Sequence, residues 1–239
     1  MNLTHRHRAA PRPGPARRAM RLGLLATVGL TVAATAATTA TAQAATVGDA
    51  GPSSGHGVAV ADSNVDTVAN PGHRNQFQDS FTVHQYGDLY AAAVRNQAEA
   101  QSWVCTAASP CRSVALSFQI VTMAGEDIHL NAQNVSHAAN HDCAGCQTLA
   151  GAWQFIVSTP EPFTLSASAQ SQLATIHHEL DALGRSTAPV STIQQQADAL
   201  ASQVTAILRS AAATAPKGPG VNALAVAAPT VTVHQMLAG

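Results

Sequence analysis

The sequence predicts an α+β protein, in which an antiparallel, β-rich central region with an internal duplication is followed by a C-terminal helical hairpin. Two kinds of periodicity predict this fold class. Apolar residues alternate with period two in two central segments, which is typical of strands with one buried face. The alternating residues are Val114, Leu116, Phe118 and Ile120 in the first segment, and Leu149, Trp153, Phe155 and Val157 in the second. Farther along the chain, apolar spacings of three and four predict helices.

The two alternating segments are copies of one unit. Residues 111–121 align with residues 146–156 without a gap, so that a cysteine matches a cysteine and Gln119 matches Gln154. Upstream, Asn96 and Asn134 each lie nine residues before the first cysteine of their unit. A repeat of this kind indicates duplicated structure. It favours a strand for residues 88–103 also, although the alanine content there suits a helix.

Composition divides the chain into five segments. Prolines 160 and 162 end the predicted sheet, because proline supplies no donor to a strand ladder. From Ala45 to about Gly72 the sequence is rich in Gly, Ser, Asp, Asn and Ala, which bury too little apolar surface to fold. The segments are a signal peptide (1–44), a flexible leader (45–75), the duplicated β-rich region (76–160), the helical hairpin (166–211) and a low-complexity tail (212–239).

The helical hairpin has predicted start and stop signals. Gly184 follows the first apolar stripe and predicts a left-handed C-cap. Pro189 lies where a first-turn proline belongs in the second helix. The apolar stripe must cover either the sheet or a partner. In the tail, prolines forbid a continuous helix, and residues 230–236 could add an edge strand.

The N-terminal segment has the features of an export signal. Six of the twelve Lys and Arg residues lie within residues 1–21 without any acid, and a short apolar stretch diluted by Ala and Thr follows. Ala42-Gln43-Ala44 then supplies the small-x-small pattern that a signal peptidase requires. We expect a secreted, extracytoplasmic protein that begins at Ala45. The pair Arg17-Arg18 leaves both the general and the twin-arginine export routes open.

Charge disfavours two classes of partner. All thirteen Asp and Glu residues follow the signal, so the mature chain is acidic. Binding to nucleic acid or to an anionic membrane requires a cluster of basic residues, which the mature sequence lacks. We therefore expect no nucleic-acid partner and, after cleavage, no membrane association.

Four cysteines are the candidate site residues: Cys105, Cys111, Cys143 and Cys146. In an exported protein they predict two disulfides, for which three connectivities exist. The duplication favours pairing within each unit. A four-cysteine zinc site is the alternative, but the first spacer of five residues exceeds the usual range. Cys143-x-x-Cys146 also matches a redox motif, although a predicted strand follows it instead of a helix.

The histidines and acids do not complete a catalytic motif. His177-His178-Glu179 begins like the zinc-peptidase motif His-Glu-x-x-His, but Ala182 occupies the position of the second ligand. His177 and Asp181, one helical turn apart, could hold a metal, but a solvated helix face is the expected role. The same holds for the pair His137 and His141, and the acids Glu126-Asp127 are expected in a turn. We predict no catalytic residue, no metal and no cofactor.

Residues 131–183 resemble a group of actinobacterial exported proteins built from repeated Asn, Cys-x-x-Cys, small, apolar and Gln positions before a helical segment. The resemblance implies no established activity. Some members are labelled peptide zinc metalloproteases, which would imply a zinc-binding helix that this chain lacks. The matching residues are Cys143, Cys146, Thr148, Ala150, Gln154 and Phe155, and in the earlier copy Cys111, Ser113, Ala115, Gln119 and Ile120.

The leading hypothesis is a non-catalytic exported protein of disulfide-stapled, β-rich fold. It would bind a protein or cell-surface partner or contribute structure to the cell surface, with self-association into a homo-oligomer as a corollary. The alternative is an enzyme. It would be a zinc-metalloprotease-related protein, or a thiol–disulfide oxidoreductase that uses Cys143 and Cys146.

Overall fold

A computed structural model describes residues 48–49, 57–219 and 226–239 of the chain. The predicted signal peptide lies outside these residues. Strands make up most of the described structure, and two helices follow the main run of strands. The elements are β1 (Gly48–Asp49), β2 (Gly57–Ala69), β3 (Asn75–Trp103), β4 (Arg112–Ala124), β5 (His129–His141), β6 (Gln147–Thr159), α1 (Ala167–Leu183), α2 (Val190–Ala213), β7 (Gly218–Pro219), β8 (Val226–Ala227) and β9 (Thr230–Ala238).

The chain winds between two packed sheets. The inner sheet contains β1, the first half of β3, β4, β6 and β9, and the outer sheet contains β2, the second half of β3, and β5. β3 belongs to both sheets because its 29 residues continue from one to the other. One passage through the outer sheet and one through the inner sheet make a coil. Three such coils are stacked between residues 57 and 159.

The expectation of antiparallel strands is wrong for most of the sheet. Every pairing among β2, β3, β4, β5 and β6 is parallel, because equivalent strands of successive coils run in the same direction. Parallel neighbours need a crossover, which the strand in the opposite sheet provides here in place of a helix. Antiparallel pairing joins β9 to β6 and the two-residue strands β7 and β8 to each other.

The internal duplication corresponds to neighbouring coils. Phe118 pairs with Trp153 and Gln119 pairs with Gln154 in the ladder between β4 and β6, as the sequence alignment matched them. A further coil, formed by β2 and the first half of β3, has no cysteines and was missed in the sequence. In that coil Phe81 pairs with Phe118. The duplication is therefore part of a three-coil stack.

The expectation of a flexible leader is wrong for residues 57–69, which form β2. Small side chains alternate toward the inner sheet there, and Ala59, Ala61 and Val65 are buried. Composition misled because a close sheet-to-sheet contact selects small residues instead of large apolar ones. In place of a disulfide, the turn after β2 is closed by Asn70, whose Oδ1 accepts hydrogen bonds from the backbone N–H groups of Gly72 (2.9 Å) and His73 (3.0 Å).

The helical hairpin packs on the inner sheet, on the face opposite the outer sheet. The alternating residues predicted for β4 and β6 lie in this core, together with Leu180, Ile193 and Leu208 of the helices. Because the outer sheet covers the second face, β4 and β6 are buried on both sides, and the expectation of one buried face is wrong for them. Neither of the described helices is long and apolar enough to cross a membrane.

The cap predicted at Gly184 is also wrong, since this residue has right-handed backbone angles (φ −60°). Glycine is required there for a different reason. A Cβ at position 184 would lie 2.6 Å from the ring of Phe77, so its absence lets the end of α1 approach the sheet. Pro189 lies at the N-cap of α2, next to the predicted position. The predicted strand near residues 230–236 is confirmed as β9.

The layer between the two sheets is made of small and polar side chains. Asn96 Nδ2 donates to Asn134 Oδ1 (2.9 Å) and to the carbonyl of Trp153 (3.1 Å). Gln119 Nε2 donates to the carbonyls of Ala61 and Arg95 in the outer sheet (3.1 and 2.9 Å). The amide nitrogens of Asn96 and Gln119 therefore find acceptors across the interface and along the stack, which fixes the relative height of the two sheets.

Asn96→Ala should lower the free energy of unfolding by about 2–4 kcal/mol, because truncation leaves several buried partners unsatisfied at about 1–3 kcal/mol each. The control is Asn64→Ala, since Asn64 is exposed on the neighbouring strand. It should change stability by less than about 0.5 kcal/mol. Urea unfolding monitored by tryptophan fluorescence measures both. Equal stability of the two variants would contradict this role for Asn96.

Gly151→Ala should be destabilising by about 1–3 kcal/mol through overpacking. A Cβ at position 151 would lie 2.4 Å from the indole of Trp153, which is fully buried. Gly87→Ala is the matched control, because a Cβ there meets nothing within 4 Å. Thermal unfolding should separate the two variants, and an unchanged midpoint for Gly151→Ala would show that the indole is packed elsewhere.

Candidate functional site

The four cysteines lie in equivalent turns at one end of the coil stack. Each turn begins with a residue of positive φ, Val104 (56°) in one coil and Asp142 (48°) in the next. Within each turn two cysteines are at disulfide-bonding positions, with Cα–Cα distances of 5.8 Å for Cys105–Cys111 and 5.6 Å for Cys143–Cys146. The pairing within each unit that the duplication favoured is therefore present.

The two turns are stacked on each other and form one cluster. The backbone N–H of Gln147 donates to the carbonyl of Cys111 (2.9 Å), and that of Cys111 donates to Cys146 Sγ (3.2 Å). All four sulfurs lie within 4.8 Å of one another. Sulfurs this close could ligate a zinc ion if they were reduced, whereas the paired arrangement leaves no thiolate for a metal.

The Cys143-x-x-Cys146 turn differs from a redox-active site. A reactive dithiol has its first thiol acidified at a helix N-terminus, but Cys146 is followed by strand β6. The turn instead joins the outer to the inner sheet, as the Cys105–Cys111 turn does one coil earlier. The arrangement therefore staples the turns of two successive coils.

The histidine–acid pairs of the sequence fall into different environments. Ala182 does lie one turn after His178 on α1, so a second zinc-peptidase ligand is absent at that position. His141 stacks on Trp103 with ring centroids 3.8 Å apart, and His137 lies 3.7 Å from Glu99, so these two histidines do not converge. Glu126 and Asp127 line a shallow cavity of about 220 Å³ beside the end of β6.

The edge of the outer sheet at β5 is unpaired within the described residues. β5 pairs with β3 along one side and with no strand along the other. Its inward-facing row is also incompletely covered. Leu130 is 42% exposed, whereas Ala92, the residue beside it in β3, is 3% exposed. Ser136 of the same row has a buried hydroxyl without a hydrogen-bond partner. No strand of the described residues completes this end of the outer sheet.

The last strand of the inner sheet extends beyond β5. Asn134 Nδ2 donates to the carbonyls of Ala152 in β6 and His234 in β9 (2.9 and 3.0 Å), which places β5 at a height between those two strands. Met236 pairs with Ala152 and therefore shares the face that looks toward the outer sheet. Because no described strand lies beyond β5 to cover it, Met236 is 48% exposed.

These features form a step. We define the step as the free edge of β5 together with Thr232, His234 and Met236 of β9, whose side chains lie on the face of the inner sheet that looks toward the outer sheet. Beside the step, the outer face carries a charged row of Asp66, Glu99 and His137 in neighbouring strands. Partial burial raises the pKa of Asp66, and the nearby charge of Glu99 raises it further. Unpaired backbone, exposed apolar surface and nearby charge together suit the binding of an extended polypeptide.

Sequence analysis identified the cysteines but missed the step. The sequence indicates that residues 230–236 could add an edge strand. It does not give the offset in height between the two sheets, which decides the strand that these residues join. The repeated asparagines are the sequence signal that could have located the step. Asn96 and Asn134 mark successive coils, and the lack of an equivalent asparagine after Asn134 marks the last coil.

No family model, no curated protein and no solved structure matches the chain.

Intact mass and peptide mapping of the secreted protein should show two disulfides, Cys105–Cys111 and Cys143–Cys146, and no free thiol. The double variant Cys143→Ser/Cys146→Ser should retain the first bond and lose little stability. The sequence separations of 6 and 3 close short loops that restrict the unfolded chain only slightly. Bonds between the two turns, or free thiols with one zinc ion per chain, would contradict this pairing.

Proposed function

We propose that this protein is an exported, non-catalytic binding module at the cell surface, whose step accepts one extended segment of another protein. The observation that carries the proposal is the exposure of the inward-facing residues of β5. These residues are half-exposed, whereas the residues that pair with them in the second half of β3 are buried. An added strand would pair with β5 and cover Met236 at once. Paired cysteines and the predicted signal peptide support an extracytoplasmic location.

The stagger between the sheets favours a single strand over a second copy of the whole stack. β9 already occupies the inner-sheet position that follows β6, while no strand in the part of the chain that the structure describes occupies the matching outer-sheet position after β5. A second copy stacked in register would bring an inner-sheet strand against β9 before its outer sheet reached β5. One extended segment fits the free position without this conflict.

The chemistry of the step indicates the composition of the segment. Its inward side chains would face Met236 and the half-exposed Ala132 and Ala138, so small or apolar residues are required at every second position. Its outward side chains would extend the polar outer face beside His137, where an acidic residue is favoured. The backbone supplies affinity, and the alternating side chains supply specificity.

Met236→Lys should abolish binding of extended peptides, because it puts a charge against the inward face of the incoming strand. The test uses the full mature protein and a displayed library of twelve-residue peptides. Selected peptides should alternate small or apolar residues with polar ones, and hydrogen exchange should show new protection of amides in β5.

Val60→Lys is the matched control, since Val60 is also an apolar, exposed residue (63%, against 48% for Met236) and lies on the opposite edge strand β2. It should bind the selected peptides as the unsubstituted protein does. Sedimentation velocity in parallel distinguishes a second copy as the occupant, because an oligomer abolished by Met236→Lys would assign the segment to this chain itself. Selected peptides that bind both variants equally, or that leave β5 unprotected, would contradict the proposal.

A further inference from the structure

Three metal-ligating side chains from two elements converge where α1 meets the inner sheet. His177 and Asp181 lie one turn apart on α1, and Asp79 lies in the first half of β3, 98 and 102 residues earlier in the chain. His177 Nε2 is 3.6 Å from Asp79 Oδ2 and 3.7 Å from Asp181 Oδ1. One ligand atom from each residue lies within 4.8 Å of the other two.

One carboxylate oxygen of Asp79 has no hydrogen-bond partner among the described residues. Its side chain is 10% exposed, and its Oδ2 is buried without a hydrogen-bond partner. The 3.6 Å separation from His177 is longer than a hydrogen bond between nitrogen and oxygen, which spans about 2.7–3.2 Å. A buried carboxylate oxygen without a donor is costly, so this atom requires a partner that the described protein does not supply.

The electrostatics of the cluster suit a cation. Burial raises the pKa of Asp79 against the opposing effect of His177, and the neighbouring Asp181 raises it further, because two carboxylates share one site. Contact with Asp79 raises the pKa of His177 against the opposing effect of its burial. A positive charge placed among the three groups would relieve both the desolvation of Asp79 and the repulsion between the carboxylates.

We propose that Asp79, His177 and Asp181 bind one divalent transition-metal ion of the Zn²⁺ type. Imidazole nitrogen and carboxylate oxygen are ligands that Zn²⁺ accepts, at about 2.0–2.2 Å from the ion. Two ligands at that distance on a tetrahedral ion lie about 3.3–3.6 Å apart. The separations of His177 from the two carboxylates, 3.6 and 3.7 Å, therefore need only a small contraction, and the two carboxylate oxygens, which lie within 4.8 Å of each other, would be drawn together by the ion.

The neighbouring side chains fix the orientation of His177 and leave the cluster open to solvent. The His177 ring stacks on Phe81, with centroids 5.0 Å apart and planes at 14°, so its orientation is set by the core. The Asp181 side chain is 34% exposed, which leaves the ion a path from solvent and a fourth position for water. A bound ion would join α1 to the edge region of the inner sheet, where the helix has its contact with β3.

This site differs from the zinc-peptidase motif and does not depend on the step. The ligands are His177 and Asp181 from the helix with Asp79 from a strand, whereas the peptidase motif would use His178 and position 182. The site lies on the helix-covered face of the inner sheet, and the step lies on the face toward the outer sheet.

Isothermal titration of Zn²⁺ into the untagged, metal-stripped, disulfide-intact mature protein tests the proposal. We expect one ion per chain and a raised unfolding temperature. His177→Ala should weaken binding at least tenfold, and so should Asp181→Asn, which removes a charge from a partly exposed position without disturbing the core. Co²⁺ should give visible absorption bands that both variants lose.

His178→Ala is the matched control, because His178 is the adjacent histidine and is exposed on the same helix. It should bind Zn²⁺ as the unsubstituted protein does, and circular dichroism checks that all variants are folded. Absence of stoichiometric binding to the folded protein would overturn the proposal. Equal affinity in the His177→Ala and His178→Ala variants would also overturn it, because the ion would then be held elsewhere, such as at the cysteines.

Discussion

The hydrogen bonding of buried amides between the two sheets is the constraint on which the rest of this structure depends. Asn96, Gln119, Asn134 and Gln154 project into a layer that is closed to water on most of its length, and each amide nitrogen finds acceptors in the opposite sheet or in the next coil. Buried amides are costly when unsatisfied, so the sheets hold one relative height. Small neighbours such as Ala115 and Ala150 allow the close approach that these short side chains require.

The same constraint produces the open step. Because Asn96, Gln119 and Asn134 each bridge two strands of the facing sheet, the three outer strands lie at heights between the four inner strands β3, β4, β6 and β9. The inner sheet therefore ends with β9, and the outer sheet ends half a strand spacing earlier with β5. The two sheets therefore end differently at this end of the stack. β9 pairs with the last parallel strand of the inner sheet, whereas the edge of the outer sheet is unpaired among the described residues.

The sequence predicted the local structure well and the pairing direction poorly. Period-two alternation located β4 and β6, and apolar spacing located both helices, because these patterns report burial directly. Alternation does not distinguish parallel from antiparallel pairing. The first coil was missed because β2 is built from small residues and its turn uses Asn70 in place of cysteines. The difference in residue number between paired residues of the first and second coils also changes, from 33 in the outer sheet (Val58 with Ala91) to 37 in the inner sheet (Asn75 with Arg112), so no single ungapped alignment matches the two coils. Asp79 was missed as a partner of His177 because only the fold brings together residues so distant in sequence.

The parallel register of the coils underlies the amide layer, the step and the metal site. Nuclear Overhauser effects between backbone protons of neighbouring strands measure this register in an isotopically labelled sample. In a coil stack the paired residues of β4 and β6 differ by a constant 35, as in Ser113 with Thr148 and Gln119 with Gln154. Contacts at this constant difference are the predicted result. Contacts in which the two residue numbers keep a constant sum would show an antiparallel hairpin, and the amide layer, the step and the metal site would then have no structural basis.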